Sequence, residues 1–139
     1  MRYVLILLAA LGIVVSALAL REHYRTEGDS PCSINERWDC GIVNHSPYAM
    51  LVGIPVAALG IFGYLLMGGL AWRRAYRLVL VVVVVGLGFS LYLAHIEADI
   101  LGVWCIYCVI SLADISLITV LALGTTLSAL FRKSPETAR

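Results

Sequence analysis

Four long apolar stretches, residues 3–20, 48–72, 78–95 and 104–131, take up most of this 139-residue sequence and decide what it can become. A hydrocarbon core of about 30 Å takes roughly 17 to 25 helical residues to cross. Inside lipid the backbone must satisfy its own hydrogen bonds, so each stretch is expected to be a helix. Composition argues against water as the solvent: with 61% hydrophobic and 14% charged residues, too little polar surface remains to cover a soluble globule. The expected fold class is an all-α membrane protein, a four-transmembrane-helix bundle forming one domain over residues 1–139 and capped by an outer loop at 21–47. The first stretch is expected to be retained as a span, because its apolar run of about 18 residues exceeds the 7 to 15 of a signal peptide.

Orientation follows from the basic residues in the short connections. With the N-terminus inside, Arg2, Arg73, Arg74, Arg77, Arg132, Lys133 and Arg139 are cytoplasmic, and only Arg21, Arg25 and Arg37 are outside. The turn at 96–103 carries Glu97 and Asp99 and no basic residue, in keeping with an outer position. The topology expected is N-in and C-in, with all four cysteines outside. The net charge of +1 comes from scattered residues, so no nucleic-acid surface is expected. Local signals refine the helices. Ser46-Pro47 suits an N-cap for the second span. Pro55 should kink that span. Gly86, Ser90 and Ala94 form a small-residue stripe on the third span.

The cysteines carry the chemistry. Cys105-Ile106-Tyr107-Cys108 places a Cys-x-x-Cys at the outer N-terminus of the fourth helix, where unpaired N–H groups and the helix dipole favour a thiolate. Cys108 then lies about 4.5 Å deeper than Cys105, so Cys105 meets thiols and Cys108 meets lipid-soluble acceptors. Cys32 and Cys40 form a second pair in the outer loop. Read as a relay, the two pairs exchange electrons through mixed disulfides, with resting bridges Cys32–Cys40 and Cys105–Cys108 and a transient Cys40–Cys105 bridge. Read structurally, they are two staples. A metal site is a third reading, although the eight-residue spacing of the loop pair is loose for zinc.

At these residues the sequence resembles the vitamin K epoxide reductase family, and its bacterial single-domain members in particular. The matching pieces are Cys32 and Cys40, the run from Trp38-Asp39-Cys40 to Ser46, Gly53-Ile54-Pro55, and Cys105-Ile106-Tyr107-Cys108. The resemblance implies a bundle around a quinone, with Cys105 and Cys108 as the active-site pair and Cys32 and Cys40 as the shuttle pair. It further implies that Cys108 reacts with the quinone and that Ser46 is the family's serine near the site. Quinone contacts are expected from Cys108, Ser46, Asn44 and His95. The activity implied is thiol:quinone oxidoreduction supporting disulfide formation, with menaquinone or ubiquinone as acceptor, no metal and no flavin. The expected location is the bacterial cytoplasmic membrane, with the active site on the extracytoplasmic side. Leu112 stands where animal members carry tyrosine, a departure from the family pattern that weakens the transfer of epoxide reduction and anticoagulant sensitivity to this chain. Many bacterial members carry a fused thioredoxin-like domain, and this chain ends at Arg139, so the expected thiol donor is a separate thioredoxin-like protein. Quinone-epoxide reduction and a non-catalytic membrane scaffold are the alternatives.

Three further residues have two readings each. Ser46 is a helix cap or a quinone neighbour. Asp114, the one acid deep in an apolar span, is a functional carboxylate or a hydrogen-bond partner of Ser90 or Ser116. His95 is a proton source for quinone reduction or a wet polar cap. Trp104, Trp38 and Tyr48 are expected at the membrane interface.

Overall fold

A computed structural model describes residues 1–25 and 34–137. Four long helices dominate it: α1 (Arg2–His23), α3 (Val56–Trp72), α4 (Tyr76–His95) and α5 (Ile106–Thr137), with a short α2 (Cys40–Asn44) in the loop between α1 and α3. Three segments among the described residues are long and apolar enough to cross a membrane: Arg2–His23, Tyr76–Leu101 and Ile106–Lys133. Val56–Trp72 is apolar but, at 17 residues, is at the short end of the range for a span.

The second apolar stretch does not run as one helix from residue 48. Pro47–Ala49 is a single 3₁₀ turn, and β1 (Met50–Leu51) pairs antiparallel with β2 (Ile54–Pro55). Val52 (φ 53°) and Gly53 (φ 78°) make the two-residue turn between them, the left-handed pair that a tight hairpin demands. Helical geometry therefore cannot begin until Val56. Pro55 is the N-cap of α3 rather than a kink within it, and Ser46 opens the 3₁₀ turn without a side-chain cap bond. The expectations for both residues are corrected accordingly.

α1 packs on α3 and α5, α4 packs on α5, and α3 touches α4. Leu5, Tyr64, Met67, Val79, Val83, Ile115, Ile118 and Ala122 form the central core. The opposite faces are apolar and exposed, among them Leu7, Phe62, Val85, Val120 and Phe131. A ring of exposed aliphatic side chains around a packed core fits lipid, not water, as the surroundings. Close approach depends on glycine at several positions, Gly12 and Gly86 among them. A Cβ on Gly12 would strike the Tyr64 ring, and one on Gly86 would lie 2.7 Å from Ile115 Cδ1. Gly86, Ser90 and Ala94, the expected stripe, also line the cavity described below.

The two ends of the bundle differ. At one end Arg2 stacks over the Trp72 ring (5.2 Å), and Arg73 and Arg74 turn α3 into α4. At the other end lie the cysteines, the hairpin and a six-residue π-helical segment, Ile96–Leu101, which continues α4 and stops at Gly102 in the left-handed conformation (φ 69°).

Candidate functional site

The loop between α1 and α3 is strapped to the start of α5 by backbone hydrogen bonds. Trp104 N–H donates to Arg37 O (2.6 Å), and Asp39 N–H donates to Trp104 O (3.0 Å). Asp39 then caps α2 by accepting from Ile42 N–H (3.2 Å), so α2 starts at Cys40 directly opposite Cys105. Both cysteines are fully buried, in a cluster with Val43 and Val103. Their sulfurs lie 3.3 Å apart. That is the separation at which two reacting atoms are poised for attack.

Cys40 is disulfide-bonded, while Cys105 and Cys108 are free thiols. Cys32, the expected partner of Cys40, lies outside the described residues. The expected resting bridge between Cys105 and Cys108 is not formed. The Cys108 side chain hydrogen-bonds that of Cys105 instead, and the Cys105 sulfur is turned towards Cys40. This hydrogen bond is the main cause that lowers the Cys105 thiol below the ordinary thiol range, against burial, which pushes it up. Cys105 lies just outside α5. Asn44 adds a second donor: its amide contacts Cys105 Sγ at 3.6 Å and donates to Cys40 O at 2.9 Å. Asn44 is itself held by His23, whose Nδ1 donates to the Asn44 carbonyl at 2.6 Å.

Below this sulfur cluster the helices part around a cavity of about 350 Å³, lined by Cys108, Ser46, Asn44, Tyr64, Glu97 and Ser111 among mainly apolar neighbours. The volume and the few convergent polar groups suit a flat ring compound. Tyr64 and Ser111 hydroxyls are 2.9 Å apart, one helical turn further along α5 than Cys108. Ser46 reaches the cavity, and its hydroxyl donates to Val43 O (2.7 Å), which steadies the end of α2.

The structure brings together Cys40, Cys105, Cys108, Asn44 and Ser46, and leaves His95 out. His95 lies outside the cavity lining, two-thirds exposed, with Nδ1 2.6 Å from Asp99 Oδ2. The helical register turns Ile96 and Glu97 inward, at 2% and 3% exposure, and His95 outward. Asp114 is buried, with Tyr64 of α3 as its polar neighbour. The bonds expected to Ser90 or Ser116 are absent, and Ser116 Oγ donates to Leu112 O instead (2.7 Å).

Glu97 is the residue that sequence reasoning passed over. Its Oε2 accepts the Cys105 N–H at 3.1 Å, and its carboxyl also hydrogen-bonds the Cys108 side chain. The sequence signal was an acid beside Ile96 at the very edge of an apolar span, where an ionisable group is costly and therefore significant. His23 and Tyr64 were also missed, for lack of any local motif.

The sequence profile of the vitamin K epoxide reductase family matches residues 3–123. A search of curated proteins finds no significant match.

Proposed function

The chain belongs to the vitamin K epoxide reductase family, a group of membrane disulfide oxidoreductases linked to quinone and to thioredoxin-like partners, and on that premise we propose that it is a thiol:quinone oxidoreductase with an internal two-pair relay. Electrons from a separate thioredoxin-like protein enter at the loop pair, Cys32 and Cys40. They pass through a transient Cys40–Cys105 bridge and leave from Cys108 to a menaquinone or ubiquinone. The reaction drives disulfide formation in exported proteins at the outer face of the bacterial cytoplasmic membrane, with both termini inside.

The observation that carries this reading is the 3.3 Å contact between the sulfur of the free thiol Cys105 and that of the disulfide-bonded Cys40, directly above a cavity that Cys108 lines. A pair of staples has no use for a free thiol at attacking distance from a disulfide. The arrangement corresponds to one step of the relay: the loop cysteine is oxidised, the inner pair is reduced, and the acceptor side comes next. Exchange needs only a thiolate and an aligned disulfide, and Asn44 and Cys108 both donate to the sulfur that bears the charge.

The test is anaerobic quinone reduction by the purified protein, comparing the parent with serine replacements of each cysteine. Loss of Cys105 or Cys108 is expected to abolish turnover with every donor. Loss of Cys32 or Cys40 is expected to abolish it only with a protein donor. Four variants that match the parent, or a parent that reduces no quinone, would refute the proposal.

A further inference from the structure

Two thiols that close to a disulfide release two electrons and two protons, and a quinone that becomes a quinol gains the same. The proton given up by Cys108 has to cross from sulfur to a ring oxygen inside a mainly apolar cavity, where free water is a poor carrier. The only described carboxylate among the residues lining that cavity is Glu97. It is 3% exposed and bonded to the side chain of Cys108 and, at 3.1 Å, to the backbone of Cys105. It lies in a π-helical segment, a rare turn that is frequent at functional sites. Here the π turn, stopped by left-handed Gly102, carries the chain from α4 to Cys105. A salt-bridge role does not explain Glu97, because no cation is paired with it among the described residues.

We infer that Glu97 is the proton carrier between the Cys108 thiol and the quinone, an inference that rests on the thiol:quinone reading. The Cys108 S–H bond breaks and its proton moves to the Glu97 carboxylate. The Cys105 sulfur bonds to the Cys108 sulfur, and the electron pair released passes to the quinone. The Glu97 O–H bond then breaks as its proton goes to one ring oxygen. The Cys105 S–H bond breaks as its sulfur bonds to Cys108, and that proton goes to the other ring oxygen. Glu97 ends as the carboxylate, ready for the next cycle. The backbone bond from Cys105 holds the carboxylate in place meanwhile, so one residue both positions the Cys-x-x-Cys turn and handles its proton. The titratable groups around it are Cys105, just before α5, and Cys108 and Tyr107 of α5, with Tyr64 of α3, Tyr48, and His23 of α1 also on the cavity wall; His95 at the end of α4 and Asp99 pair with each other outside.

Glu97→Gln separates the two roles, because the amide oxygen still accepts the Cys105 N–H but the group no longer takes up a proton. In the full-length protein, electron transfer from a reduced thioredoxin-like donor to the inner pair, followed by thiol alkylation without quinone, is expected to stay within about twofold of the parent. Quinol formation by the pre-reduced variant is expected to fall roughly 100-fold or more, the usual loss on removing a general base. The parental rise in rate with pH should flatten, and Glu97→Asp should restore much of the rate. Redox-triggered infrared difference spectra give a second measure: a carboxylic C=O band that appears and decays in the parent and is missing in the variant. Quinol formation at the parental rate overturns the inference, as does equal slowing of both half-reactions, which marks a positioning role alone. A parent that forms no quinol at all refutes the thiol:quinone reading itself, and the inference with it.

Discussion

Replacing Gly12 by alanine tests whether the cavity is held open by the packing described. Residue 12 faces Tyr64, and an added Cβ would fall on three ring atoms, Cε1, Cδ1 and Cζ. Carbon atoms settle at about 3.5 to 4.0 Å, so the ring must retreat by more than about 1 Å. It has nowhere to go: Tyr64 is 3% exposed and its hydroxyl is held by Ser111. Overpacking of this kind costs about 1 to 3 kcal/mol, and loss of the Tyr64–Ser111 bond adds about 0.5 to 1.5 kcal/mol. The gain from removing a helix-interior glycine is at most about 1 kcal/mol. The net expectation is a loss of about 1 to 3 kcal/mol in unfolding free energy, measured by denaturing titration in mixed micelles. Gly69→Ala is the control, because nothing lies within 4 Å of its Cβ position. It should gain up to about 1 kcal/mol from helix propensity alone. Equal stability of the two variants would refute the claim that α1 and α3 meet through this glycine.

Cys108→Ala should accumulate a Cys40–Cys105 disulfide, detectable by peptide mass mapping, because no second inner thiol remains to resolve it. The same variant removes the hydrogen bond that lowers the Cys105 thiol, so its pKa rises. The rate of bridge formation should therefore reach its plateau at higher pH than internal exchange in the parent, with the deficit greatest near neutrality and closing as pH rises; an unshifted profile would contradict the cause assigned to the lowered thiol. Asn44→Ala should slow internal exchange at pH 7 by about fivefold, the equivalent of one ordinary hydrogen bond, as followed by quenched alkylation. His95→Gln should change quinol formation by less than about twofold, as expected of an exposed side chain outside the cavity, and a larger loss would show that the outward rotamer is not the working one.

Much of this architecture was legible in the sequence. Long apolar runs oblige helices in lipid, and the four cysteines announced exchange chemistry, with Cys40, Cys105 and Cys108 found in one place among the described residues. What escaped was set by tertiary geometry. A hairpin turning on Val52 and Gly53 delayed α3 to Val56, since Met50, Leu51 and Ile54 read as well for a helix as for a strand. His95 and Glu97 are two residues apart and equally plausible on paper, and only the helical register sends one outward and the other in. The pairing of Trp104 with Arg37 and Asp39 leaves no periodic trace, yet it is what aligns two cysteines 65 positions apart.

That strap has a kinetic meaning. With Cys40 and Cys105 already side by side, the handover in the proposed relay would be a first-order event, indifferent to how much protein the membrane contains. Donor abundance governs only the initial encounter. Cys40 and Cys105 are both buried, so a small soluble thiol is expected to be a slower donor to Cys105 than the loop pair seated against it. The proposed route thereby favours, without requiring, reducing equivalents from donors that engage the loop between α1 and α3.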